Sequence, residues 1–180
     1  MTGPGRTAPG PVSLPPSIVH ALRAAVLATD DGETRLRDAG FDAGRALYDD
    51  FAAWMAARAG VADPAIASLG AFGEALGAYA AAHGWGTLAL EAGDGADTDG
   101  LPTLRAIGWF EVERGADGAR APYPSCLFTT GLLAGFLSRL AGQPLAVLEL
   151  ECASTGDAAC RFVVGGEAAL TRLFAERFGR

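Results

Sequence analysis

Hydrophobic positions recur at helical spacing through the first half of the chain, and the period changes after Gly84. From Pro15 onward Ile18, Leu22 and Val26 stand four residues apart, which predicts a first helix. Asp30 or Asp31 caps a second, in which Leu36, Gly40, Ala43, Leu47, Phe51 and Trp54 form one stripe. Arg35, Asp38, Asp42, Arg45 and Asp49 make its opposite face. A third helix opens at Asp63-Pro64, a capping residue followed by proline at the first helical position. Ile66, Leu69, Phe72, Leu76 and Tyr79 are its expected buried stripe, and Glu74 is its one charge before His83. So little polarity implies burial on more than one side, by the fold or by a partner chain.

Beyond Gly84, Thr87–Glu91 and Leu104–Arg114 read as strands joined by the acidic turn Gly93–Pro102. A glycine-rich turn, Gly115–Gly118, leads to a helix over Ser125–Ala141. Pro144–Glu151 and Cys160–Val164 then form a hairpin around Ala153–Ala159, and a last amphipathic helix turns Leu170, Leu173, Phe174 and Phe178 inward. Helices and strands do not alternate one by one, as a doubly wound fold requires. The predicted class is α+β, helices packed on an antiparallel sheet. Residues 1–14, rich in Pro and Gly, are expected to form a disordered leader before a single domain over residues 15–180.

Half of the 180 residues are hydrophobic, enough to bury a core without cross-links. The 14 basic residues, all Arg, face 21 acidic ones, and a net charge of −7 argues against a nucleic-acid binder or a polybasic membrane anchor. Arginine without lysine suits a high-GC bacterial coding sequence. The N-terminus lacks the apolar stretch of a secretory signal. The longest uncharged run, Ala121–Ser138, opens with Pro122 and Pro124 and is too short to cross a bilayer. A cytoplasmic protein is expected, in which three cysteines serve as thiols or metal ligands more readily than as a disulfide framework.

Several catalytic motifs fail. Aligning Gly100 with the glycine of a calcium loop puts Gly95 at the first ligand position and Ala106 at the bidentate glutamate. A P-loop lysine is absent, Gly93-x-Gly95 precedes no helix, and no Gly-x-Ser-x-Gly occurs. No catalytic residue is assigned, which favours a binding module over an enzyme.

The C-terminal third carries the chemistry. Cys152 and Cys160 bracket a seven-residue turn, Glu149 precedes Cys152 by three residues, and Cys126 starts the preceding helix, where partial positive charge lowers a thiol pKa. Three thiolates and one carboxylate converging here would form a closed, structural zinc set. The competing readings are three small buried residues or a Cys152–Cys160 disulfide. Glu149 and Glu151 share one face of a regular strand and Cys152 the other, so pairing a carboxylate with Cys152 requires a bulge. Strand parity does not choose between the two glutamates.

At these residues the sequence resembles the 4-vinyl reductase (4VR) domain family. The shared pattern is Pro124-Ser-Cys126, Gly131-x-x-x-Gly135, Gly142-x-Pro144 and Glu149-x-x-Cys152-x-x-x-Gly156-x-x-x-Cys160. It covers residues 80–165. The resemblance implies a fold similar to TRAPP transport subunits, helices on an antiparallel sheet, usually as a homodimer. It also implies a zinc on Cys126, Glu149, Cys152 and Cys160, as in the phenol and xylene sensors of the family, and so chooses Glu149 over Glu151. Those sensors place a His-Gly histidine and a later tryptophan around an aromatic ligand, positions that fall on His83-Gly84 and Trp109. Against this, His83 ends a helix and Trp109 reads equally as core. The leading expectation is a stand-alone sensor or binding module for a small hydrophobic or aromatic molecule. A substrate carrier or reductase-related protein of tetrapyrrole metabolism and a structural dimeric adaptor are the alternatives.

Overall fold

The computed structural model describes residues 14–61, 63–91, 93, 98–113 and 119–179. In chain order these form α1 (Pro16–Leu27), α2 (Gly32–Ala59), a 3-10 turn (Pro64–Ile66), α3 (Leu69–Ala82), β1 (Thr87–Glu91), β2 (Thr103–Ile107), α4 (Leu127–Ala141), β3 (Ala146–Glu151), β4 (Cys160–Gly165) and α5 (Glu167–Phe178). The strands make one antiparallel sheet in the order β1-β2-β4-β3, the α+β class expected. The expected leader and the turns at 94–97 and 115–118 fall outside the described residues.

The central strand β4 explains the layering. Its side chains alternate, so Phe162 and Val164 enter the main core and Val163 faces the other way. The main core lies under α2, α3 and α4 around Phe51, whose ring meets Phe72, Tyr79 and Phe136 edge-on at 5.9, 5.4 and 5.3 Å. A smaller core on the opposite face joins Val163 and Leu150 to Leu170 and Leu173 of α5.

Four glycines bring α2 and α4 into backbone contact. Gly40 and Gly44 of α2 lie against the carbonyls of Phe128 and Leu132, while Gly131 and Gly135 of α4 lie against those of Arg37 and Phe41. A Cβ at any of the four would overlap the facing backbone. The small residues of α4 therefore divide their work. Gly131 and Gly135 seat α2, Ala134 lines a surface groove, and Ser138 donates to the Leu145 carbonyl and accepts from its amide.

The structure corrects three sequence expectations. Asp63-Pro64 opens only the 3-10 turn, because Ala67 is extended and Ser68 restarts the helix by accepting from the Ala71 amide. The restart shifts the helical phase, leaving Ile66 and Leu69 exposed while Phe72, Leu76 and Tyr79 are buried. The second strand stops at Ile107, since Gly108 takes a left-handed φ of 61° and turns the chain away. In α5, Leu170 and Leu173 fill the narrow second core, so Phe174 and Phe178 lie outside it, half exposed and packed on each other at 5.1 Å. The polar side chains of α1 make its ties: His20 Nε2 lies 3.1 Å from the Phe110 carbonyl, and Arg23 donates to the Ser125 carbonyl at 2.9 Å. Ile18 and Leu22 stay exposed.

Candidate functional site

Cys126 is the N-cap of α4, and Cys152 and Cys160 close the tip of the β3–β4 hairpin. The ladder pairs Glu149 with Phe162 but Glu151 with Arg161, a bulge that strand parity demanded. It separates the two glutamates. Glu151 forms an ion pair with Arg161 at 2.8 Å, while Glu149 is buried with the three sulfurs. The four side chains offer ligand atoms that all lie within 4.8 Å of one another.

The donor set fits zinc. A tetrahedron with metal–sulfur bonds of about 2.3 Å has sulfur–sulfur edges of about 3.8 Å. The Sγ separations are 3.7 Å for Cys126–Cys152, 3.7 Å for Cys126–Cys160 and 3.9 Å for Cys152–Cys160, far beyond a disulfide bond. Glu149 Oε2 accepts from the Cys126 amide at 2.9 Å, whereas its Oε1 is buried without a hydrogen-bond partner. An orphaned carboxylate oxygen beside three thiols stands where the fourth ligand of a cation would.

Second-layer contacts orient the sulfurs. Ser154 Oγ lies 2.9 Å from Cys152 Sγ, the Ala153 amide donates to Cys160 Sγ at 3.4 Å, and Asp157 accepts from the Cys152 amide at 2.9 Å. Gly156, at φ 107°, turns the loop back where the Arg120 guanidinium would lie 2.6 Å from any Cβ.

The four groups by themselves hold charge unevenly. Hydrogen bonds from Cys126 and Cys160 push the Cys152 thiol down, and the same bonds raise Cys126. The thiol at the helix start is thus raised where the sequence suggested it would be lowered, because donation to a neighbouring thiolate outweighs the helix terminus. Burial, followed by the charge on Cys152, pushes Glu149 up to about 8.

A buried carboxylate that the sequence did not reveal prepares this helix start. Glu111 accepts from the Phe128 and Thr129 amides at 2.9 and 2.8 Å and from the Thr129 hydroxyl at 2.7 Å. Arg23 of α1 stands 3.6 Å away as its counter-ion. Burial pushes the Glu111 carboxyl up, opposed by these hydrogen bonds. Its position two residues from Trp109 read as ordinary strand alternation, and the bend at Gly108 is what directs it under α4.

His83 and Trp109 are not in contact with the same space. His83 Nδ1 donates to the Tyr79 carbonyl at 2.8 Å, since a carbonyl only accepts, leaving Nε2 as an acceptor in the neutral ring. The ring lines a cleft of about 430 Å³ with Trp85, Phe110, Phe128 and Asp50. Trp85 sits between Gly84 and Gly86, both at positive φ, and lies 5.8 Å from His83 and 6.3 Å from Trp109. Trp109 is buried behind it and donates its indole N–H to Thr129 Oγ1 at 2.7 Å. The sequence missed Trp85, Phe110 and Asp50 because the cleft assembles α1, α2, α3 and the segment after β2.

Comparison with known proteins places these features in a wider set. Residues 115–166, which hold the cysteine and glutamate positions, match the model of the 4VR domain, the family whose motif the sequence carries. The fold resembles the phenol-responsive sensory domain of the transcription activator PoxR with phenol, at TM-score 0.63 and 20% identity over 90% of this chain and 81% of that one. A vinyl-4-reductase family protein from Methanocaldococcus jannaschii aligns at TM-score 0.52 and 18% identity over 89% of this chain and 83% of its own. A trafficking protein particle complex subunit 3 from Naegleria fowleri, covalently bound to palmitic acid, aligns at 0.57 and 14% over 83% and 93%. No curated protein matches the sequence. Among the described residues no helix is long and apolar enough to cross a membrane.

Proposed function

We propose, for a chain that carries a 4VR-domain match on the fold of a phenol-sensing domain, that this protein is a zinc-stabilised binding module for a small hydrophobic or aromatic ligand. The observation that carries the reading is the cleft, in which three aromatic side chains surround a histidine whose open ring nitrogen accepts. A ligand ring packs against Trp85, Phe110 and Phe128 while its hydroxyl donates to His83. Trp109, with its own N–H held by Thr129, supports the cleft through Trp85.

One zinc on Cys126, Glu149, Cys152 and Cys160 supplies charge neutralisation and a cross-link between the start of α4 and the hairpin tip. Four protein ligands leave no position for a catalytic water, so the metal is structural and the function is binding. A homodimer belongs to the same proposal, with the exposed Ile66 and Leu69 as apolar surface for a second copy.

Phenol is expected to quench tryptophan fluorescence saturably. His83→Ala should weaken binding by about 1–2 kcal/mol, the worth of one hydrogen bond. Trp109→Phe, measured beside it, separates that indole from Trp54 and Trp85. Equal affinity in His83→Ala would reject the cleft. A tetrapyrrole carried through purification would instead move the function to the carrier alternative.

A further inference from the structure

We infer that Asp50 sets the charge class of the ligand, so that the cleft takes neutral or cationic aromatic molecules and rejects aromatic acids. The inference rests on the cleft being the ligand site. Asp50 is the one residue with an ionised carboxylate or guanidinium among those lining it, and His83 is the only other titratable one. Its carboxylate has no ion pair or hydrogen bond among the described residues. The preceding residue, Asp49, is by contrast held by Arg139 through two hydrogen bonds. The helix around Asp50 brings no cation to it: Ala46, Leu47, Ala53 and Trp54 occupy the positions three and four residues away. Asp50 also lies close enough to the buried Tyr79 hydroxyl for its charge to raise that phenol, an effect second to burial.

An unneutralised carboxylate beside apolar walls acts at short range with little screening. A carboxylate on the ligand meets it as a like charge, an ammonium as a partner and a hydroxyl as a donor. His83 Nε2, the other polar atom established in the cleft, is likewise an acceptor, which adds to the preference for donating ligands. The net charge of −7 disfavours anions everywhere on the molecule, so the local effect must be read as a change of order upon removing this one charge.

Benzylamine, benzyl alcohol and benzoate carry the same ring with a positive, neutral and negative group at neutral pH. Calorimetric titration of the full chain with each is expected to give the order benzylamine, benzyl alcohol, benzoate. In Asp50→Asn, benzylamine should lose at least tenfold in affinity, benzoate should gain at least tenfold, and benzyl alcohol should change less than threefold. Asp50→Glu, which keeps the charge, should keep the parental order, and it serves as the folded control. If benzyl alcohol binds the parent but Asp50→Asn leaves the three ratios unchanged, the inference is overturned while the cleft stands. If none of the three binds the parent, the cleft itself is rejected and the inference with it.

Discussion

Elemental analysis of untagged protein is expected to return about one zinc per chain, and Cys152→Ser or Cys160→Ser to remove it and lower the melting temperature by about 10 °C or more. The reasoning begins with the loop between the two cysteines, Ala-Ser-Thr-Gly-Asp-Ala-Ala, which supplies almost no apolar mass to hold itself in place. Its internal bonds, such as Thr155 Oγ1 to the Cys152 carbonyl at 2.7 Å, fix the shape of the turn but not its seat on α4. What reaches across is the cluster: Glu149 on the Cys126 amide and three sulfurs at tetrahedral spacing. The unfolded chain does not hold these groups together, so metal binding becomes folding free energy. At roughly 3 °C per kcal/mol for a chain of this size, 10 °C corresponds to about 3–4 kcal/mol. Glu151→Gln, which disturbs only the pair with Arg161, is expected to keep both metal and melting temperature close to the parent. Protein purified under reducing conditions with far less than one zinc and a Cys152–Cys160 disulfide would overturn the assignment.

Gly44→Ala and Gly131→Ala are each expected to destabilise by about 3 kcal/mol, although alanine is the better helix former. Intrinsic propensity favours alanine by about 1 kcal/mol inside a helix. Against it stands overlap with the Leu132 carbonyl for one substitution and the Arg37 carbonyl for the other. A carbonyl of a neighbouring helix cannot rotate aside as a side-chain tip does, so the helices must separate and the packing of Phe51 on Phe136 loosens with them. Gly70→Ala provides the control, because a Cβ there meets nothing within 4 Å. That variant should be neutral or stabilised by about 0.5 kcal/mol. Urea unfolding of the three proteins side by side decides it, and an unaltered midpoint in Gly44→Ala would contradict the backbone contact.

What the sequence revealed follows from how local each signal is. The metal cluster was legible because three of its four groups fall within twelve residues, and parity along one strand showed that a bulge had to intervene. The α2 stripe was legible because 28 residues of uninterrupted helix keep one phase. Legibility failed where a single residue resets the geometry. Ser68 restarts α3 and turns Leu69 outward, and Gly108 bends the chain so that Glu111 supports a helix instead of continuing a strand. In α5 the spacing placed Phe174 and Phe178 with Leu170 and Leu173, but the narrow second core has room for only the latter pair. The cleft was least legible of all. Asp50, His83 and Trp85 carry no common motif, and only the packing of α1, α2 and α3 gathers them.

The burial of all three sulfurs has a kinetic consequence. Each cysteine is at most 1% exposed, so a thiol reagent in solution finds no target in the native protein. Reaction waits for the hairpin tip to lift from α4, and that one opening uncovers Cys126, Cys152 and Cys160 at the same time. Labelling is therefore expected to be all or none. Intact mass spectra taken during slow alkylation should show chains with no adduct and chains with three, with singly and doubly labelled species scarce throughout. The rate at which the first population converts to the second then measures how often that corner of the molecule opens.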